Sequence, residues 1–206
     1  METEIRILYV ADPMCSWCWG FAPVLESLRK AYPKVKVQIV LGGLAPDSSE
    51  PMEDSMQAYV QQAWHDVAAR SGVTFNYDYW TTCAPRRSTW PSCRAVVIAR
   101  RHGLEREMFA AIQKAYYLDA RNPSDDDTLA DLAQALGLDR DTFLAALHSE
   151  DIQAALNEDF DIRRSIGANS FPSLGVERDG QRQLVHSGWG DEELILRVFA
   201  PILQLT

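Results

Sequence analysis

"ADPMCSWCWGFAP" (residues 11–23) sets two cysteines three apart, directly after the apolar run "IRILYV" (5–10) and directly before a stretch with helical spacing. The run 5–10 is apolar and partly β-branched or aromatic, which predicts a buried strand. From Ser16 to Tyr32 the apolar residues Phe21, Val24, Leu25 and Leu28 recur at helical intervals, and "YP" closes the run. "VKVQIVLGG" (35–43) predicts a second strand ended by a glycine pair. Strand, helix and strand in this order make a βαβ unit with parallel strands. The cysteines therefore fall at the strand-to-helix junction, with Cys18 one helical turn beyond Cys15 on the same face.

Outward from this unit the pattern changes. From Pro51 to Ala168 helical segments dominate, opening with the amphipathic "PMEDSMQAYVQQAWHDVAAR", which stops at Ser71–Gly72. "SCRAVVIARRHG", "LEREMFAAIQKAYYLDA", "SDDDTLADLAQALG", "DRDTFLAALHSE" and "SEDIQAALNEDFDIRRSIG" follow as further helices. The fourth of the six opens with a Ser cap and acidic residues that suit a helix N-terminus. "VTFNYDYWTTCAPRRSTWP" (73–91) reads as an irregular, aromatic-rich connection. After Gly167 strand signals return at "PSLGVE" (172–177) and "RQLVHSG" (182–188), around a turn at "RDGQ", and a closing helix runs from Asp191 to Gln204. The expected division is 1–46 for the βαβ part, 47–167 for an inserted helical domain and 168–206 for a ββα part.

The chain has 206 residues, 47% of them hydrophobic and 24% charged, enough to bury a substantial core. Its formal net charge of −9 argues against nucleic acid or an anionic membrane as partner. Glu2 and Glu4 stand where a secretory leader would carry Lys or Arg, and no segment reaches the roughly 18 apolar residues of a membrane span. A cytoplasmic protein is expected. In a reducing compartment four cysteines (Cys15, Cys18, Cys83, Cys93) point to chemistry or metal binding before structural staples.

Thiol–disulfide exchange needs a thiolate, and a free cysteine with a pKa of about 8.5 is only roughly 7% ionised at pH 7.4. A helix N-terminus favours the anion through its unpaired N–H groups and dipole. Lower basicity costs nucleophilicity, so the main effect of a tuned Cys15 is on redox poise. Two other readings compete: simple packing of both sulfurs, and zinc ligation. A four-cysteine zinc site wants a second short-spaced pair, whereas Cys83 and Cys93 are ten apart. His65, His102, His148 and His186 form no ligand-like cluster in the sequence.

With these residues the chain resembles thioredoxin-fold thiol oxidoreductases. Pro23 falls five residues after Cys18, where thioredoxins kink the active-site helix, and "GANSFPSLGVE" (167–177) resembles their cis-proline segment. The long helical insertion is the DsbA-like arrangement. "DPMCSWCWG" is most similar to the FrnE-like cytoplasmic group, related to 2-hydroxychromene-2-carboxylate isomerases and kappa-class glutathione transferases. The fold class implied is α/β: a thioredoxin fold with a large helical insertion.

The resemblance implies a thiol–disulfide oxidoreductase or protein disulfide isomerase, with Cys15 as nucleophile and Cys18 resolving. Pro172 would be cis, and the Phe171 backbone would pair with a substrate peptide. It implies disulfide- or thiol-bearing proteins or glutathione as partners. No metal or resident cofactor is called for, with glutathione at most a co-substrate. The alternative is a glutathione-dependent transferase or isomerase, although those relatives carry serine where Cys15 stands. A third reading is a non-enzymatic redox-sensing or metal-buffering interaction protein.

Two departures stand out. Ser16-Trp17 separates the cysteines without a histidine, and Tyr9 occupies the place where relatives bury an acid, leaving Asp12 as the nearest carboxyl. In "CAPRRSTWPSC" (83–93), Ser88 stands for an asparagine of related families that faces the active site, and Thr89 matches the next position. Arg86 and Arg87 give this loop positive charge. Cys83 and Cys93 are candidates for a second redox pair. Trp17, Trp19, Trp64, Trp80 and Trp90 are candidates to line an apolar groove.

Overall fold

The computed structural model describes residues 5–203, so Glu2, Glu4 and Gln204 lie outside the described residues. Strand β1 (Ile5–Ala11) leads into α1 (Ser16–Ala31) and β2 (Lys36–Leu41). The helical block comprises α2 (Asp54–Ser71), α3 (Tyr79–Thr82), α4 (Trp90–Arg101), α5 (Glu105–Tyr117), α6 (Asp126–Ala135), α7 (Arg140–Leu147) and α8 (Glu150–Ser165). Strands β3 (Ser173–Arg178) and β4 (Gln181–Ser187) and helix α9 (Glu192–Leu203) complete the chain. The short α3 lies inside the stretch expected to be irregular.

The sheet order is β2-β1-β3-β4. β1 and β2 are parallel, with Ile7 opposite Val37 and Ala11 opposite Leu41. β3 runs antiparallel to β1, Leu8 opposite Gly175, and β4 antiparallel to β3. This is the thioredoxin-like α/β core expected from the βαβ unit, with the helices α2–α8 inserted between β2 and β3.

The period-2 geometry of a strand sorts β1 onto two cores. Ile5, Ile7, Tyr9 and Ala11 join the main cluster with Phe21, Leu25 and Leu28 of α1, whereas Leu8 and Val10 meet Val40, Ile166 and Ala168. Both sheet faces are covered, which is why β1 reads as an unbroken apolar run. α4 is buried along its length from Pro91 to Ala99, the pattern of a helix enclosed by others. A third cluster gathers around the fully buried Trp64, with six rings at centroid distances of 5.0–5.9 Å.

Caps form where short polar side chains can reach. Asp139 accepts from the Thr142 N–H and Ser149 from the Ile152 N–H, opening α7 and α8. The expected Ser cap of α6 is absent. Asp125 takes the cap position instead, and Ser124 donates to the Ser88 carbonyl at 2.7 Å. α2 ends on Gly72, whose φ of 76° is the left-handed conformation a glycine adopts without strain. Among the described residues no helix is long and apolar enough to cross a membrane.

Candidate functional site

The turn after β1 delivers Cys15 to the N-cap position of α1 in an extended conformation, and no side chain caps this end. The Cys15 N–H donates to the Asp12 carbonyl at 3.0 Å, tightening the turn, and the Cys15 carbonyl receives the Trp19 N–H at 3.1 Å. Cys15 is 6% exposed and Cys18 fully buried. Burial pushes the Cys18 thiol well up, and the adjoining Cys15 sulfur adds to it. Beneath them Tyr9 stacks on Phe21 at 5.9 Å, its hydroxyl also pushed well up by burial.

The opposite wall is the segment before β3. The Phe171–Pro172 peptide is cis, and the Cys15 thiol donates to the Phe171 carbonyl at 3.7 Å. A Cβ at Gly42 would fall 2.4 Å from the Phe171 ring, so the glycine lets that ring pack against the end of β2. The structure thus brings Cys15, Cys18, Phe171 and Pro172 together.

Asp12 joins this turn to the helical block. Fully buried, it accepts from the Met14 N–H (2.8 Å), the Leu44 N–H (2.7 Å), the Thr89 hydroxyl (2.6 Å) and the Cys93 thiol (3.5 Å). Burial raises its carboxyl above the ordinary range even though these donors oppose the shift.

Other expected residues go elsewhere. Ser88 accepts from the Ser48 N–H and lines a separate cleft of about 730 Å³, while Thr89 is the residue of that pair turned to the Asp12 network. Cys83 and Cys93 do not form a pair. All four cysteines are free; Cys83 donates to the Ala120 carbonyl at 3.1 Å within the aromatic cluster, and Cys93 is buried against Asp12. Burial pushes both thiols up. Arg86 is tied to Asp125 and the Ser124 carbonyl, yet with Arg87 and Thr89 it also borders the crevice at Cys15, so this loop does overhang the first cysteine. Of the five tryptophans proposed for a groove, only Trp17 borders the crevice at Cys15. Trp64, Trp80 and Trp19 pack into the aromatic cluster and Trp90 against Phe160.

That crevice, of about 170 Å³, is walled by Cys15, Trp17, Leu44, Met52, Val60 and Tyr116. Tyr59, at its edge, is 68% exposed. Met52, Tyr59, Val60 and Ala63 were missed from the sequence. Tyr59 and Ala63, four apart on α2, share one helix face, whereas Met52 before the helix carries no local signal. Among the described residues no group of three or more His, Cys, Asp or Glu side chains could hold a metal ion.

A family model, the DSBA-like thioredoxin domain, matches residues 6–194. In structure the chain is similar to a candidate protein disulfide isomerase from Nitrosomonas europaea, with a TM-score of 0.86, 31% identity and 98% of each chain covered. It is also similar to the cytosolic disulfide reductase DsbM from Pseudomonas aeruginosa, with a TM-score of 0.80, 26% identity and coverage of 98% of this chain and all of that one. In sequence it is similar to the ClpXP adapter protein SpxH from Bacillus subtilis (strain 168), 25% identical over 84% of this chain. The chain spans 58% of the length of that relative.

SpxH proteins from three further organisms match at 22% identity over 82–88% of the chain. These adapter relatives overturn the expected thiol–disulfide oxidoreductase or isomerase and its glutathione-dependent alternative. They likewise overturn thiol- or disulfide-bearing proteins and glutathione as the expected partners, since those relatives are named as adapters of ClpXP.

Proposed function

The chain belongs to the DSBA-like thioredoxin domain family, and on that premise we propose that it is a protein-binding adapter that serves a ClpXP-type protease. The observation that carries this reading is the likeness to SpxH across 84% of the chain. The crevice beside Cys15 supports it: a slot with apolar walls, Arg86 and Arg87 along one side and an exposed aromatic at its edge suits the side chains of an extended partner segment.

In this reading Cys15, Trp17, Phe171 and Pro172 face the bound segment. Cys18 supports Cys15 from within the core, and Ser88 braces the loop before α4. The helical block, 47–167, supplies the wall opposite the βαβ and ββα parts, 1–46 and 168–206. A cytoplasmic location goes with it, on the likeness to the cytosolic DsbM.

The test is binding of the purified chain to ClpX, followed by sedimentation, with and without the Cys15→Ser/Cys18→Ser double substitution. A stable complex with both forms is the expected result. Absence of a complex, together with steady turnover of insulin disulfides that depends on Cys15, overturns the proposal.

A further inference from the structure

The chain carries 29 acidic against 20 basic side chains, and its larger clefts hold carboxylates. The cleft of about 730 Å³ sets Asp47, Asp125, Asp126 and Asp127 against Arg86 and His148. A cleft of about 450 Å³ between α1 and α5 sets Glu26 and Glu107 against Arg29 and Arg106. The crevice at Cys15 breaks this pattern. No carboxylate lines it, and two guanidinium groups do, Arg86 and Arg87.

The two arginines differ. Arg86 is already held by Asp125 and the Ser124 carbonyl. Arg87 is exposed, its guanidinium meets only the Met56 thioether at 3.6 Å, and among the described residues it has no ion-pair partner. A second source of positive potential stands at the same place. Helix α1 runs for 16 residues and opens at Cys15 with no side-chain cap and no acidic residue in its first turn. Its leading N–H groups and positive dipole end are therefore unanswered where Cys15, Ser16 and Trp17 border the crevice. Asp12, the carboxyl behind this turn, is fully buried and does not line the crevice.

At about 170 Å³ the crevice is smaller than a typical small-molecule site and suits single side chains. Its apolar wall includes Leu44, Met52 and Val60. We infer that the segment it binds is acidic: an extended stretch of a partner protein that seats an apolar side chain against this wall and carries carboxylates beside it, toward Arg87 and the mouth of α1. The inference rests on the adapter reading of this crevice and adds the chemistry of the partner. Charge at an interface rim acts through selectivity and salt dependence, which sets the form of the test.

The probe is the peptide amide Glu-Asp-Leu-Phe-Asp-Glu, titrated into the intact chain by calorimetry beside its neutral isostere Gln-Asn-Leu-Phe-Asn-Gln. Saturable binding at one site is expected, with the acidic peptide at least about fivefold tighter and the gap closing as salt rises from about 0.05 to about 0.5 M. Arg87→Glu should weaken the acidic peptide about tenfold and leave the isostere unchanged. Arg101→Glu makes the same change in net charge at the other end of α4, about 17 Å away along the helix, beyond the screening length of about 8 Å in 0.15 M salt. It should leave both peptides unchanged. Ala63→Trp, which fills the crevice from α2, should abolish binding of both, and circular dichroism checks that each variant folds. Equal affinity of the two peptides, no saturable binding of the acidic one, equal losses in Arg87→Glu and Arg101→Glu, or binding that survives Ala63→Trp overturns the inference. A ClpX complex without a preference for the acidic peptide overturns it alone and leaves the adapter reading standing. A preference that depends on Arg87, without a ClpX complex, overturns the adapter reading and leaves the charge selectivity of the crevice in place.

Discussion

Asp12 concentrates more of this structure than any other single side chain. Its two oxygens receive the Met14 and Leu44 N–H groups, the Thr89 hydroxyl and the Cys93 thiol, so one carboxyl ties the Cys15 turn, the β2 exit and the start of α4. Truncation to alanine strands two backbone donors inside the core, and each such loss costs about 1–3 kcal/mol. Asp12→Ala should therefore lower stability by about 2–5 kcal/mol in urea unfolding. The pH dependence has a definite sign. Because burial raises the folded-state pKa above the unfolded value of about 3.9, the folded protein holds this proton more tightly. The stabilisation is complete below about pH 3.9 and is lost as pH rises through the raised folded value. Unfolding measured over a pH series should show wild type losing ground to Asp12→Asn across that interval. The opposite trend would mean that the donors outweigh burial.

At the scale of elements, the attachment of the helical block to the sheet rests on α4, α8 and β2. Arg100 of α4 donates to both Asp159 oxygens of α8, at 3.1 and 2.7 Å, and to the Ile39 carbonyl of β2 at 3.0 Å. Asp159 in turn receives the Leu41 N–H at 3.0 Å. Arg100→Ala leaves a buried carboxylate without its cation and should cost about 3–5 kcal/mol in denaturant unfolding. Arg164→Ala, whose partner Asp161 is in the same exposed turn, should stay within about 0.5 kcal/mol. Equal effects would remove the joint from the account. None of this joint was legible in the sequence, because Arg100 and Asp159 are 59 positions apart, and Leu41 and Asp159 118. The βαβ unit, the inserted helices and the cysteine pair at a helix mouth were legible, since periodicity and junction residues are local. The Ser88 expectation failed for a related reason: adjacent residues in a loop point to different places, and only the packing around Asp12 selects Thr89. Spacing alone likewise could not tell that Cys83 enters the aromatic cluster while Cys93 enters the main core.

Over the whole molecule, the crevice at Cys15 is where the sheet part and the helical block meet, with Cys15 and Trp17 from one and Val60 and Tyr116 from the other. A partner segment seated there would touch both parts at once, which suits an adapter better than a surface confined to either. Tyr59 is the residue to test, because it is 68% exposed and contributes little to folding. Tyr59→Ala in the exposed face of α2 should leave the melting temperature within the small range of surface substitutions, and alanine is the better helix former. Tyrosine is among the residue types that most often carry a large share of binding, and a segment seated in the crevice would cover Tyr59; a loss of about 1.4 kcal/mol is tenfold in affinity. Binding of ClpX by fluorescence anisotropy, set beside thermal melting, should therefore show at least a tenfold weakening with an unchanged melt. Unchanged affinity would move the interface off this crevice while leaving the adapter assignment to be judged by complex formation. A lowered melt with lowered affinity would show that Tyr59 supports the fold and would remove it as a probe of the interface.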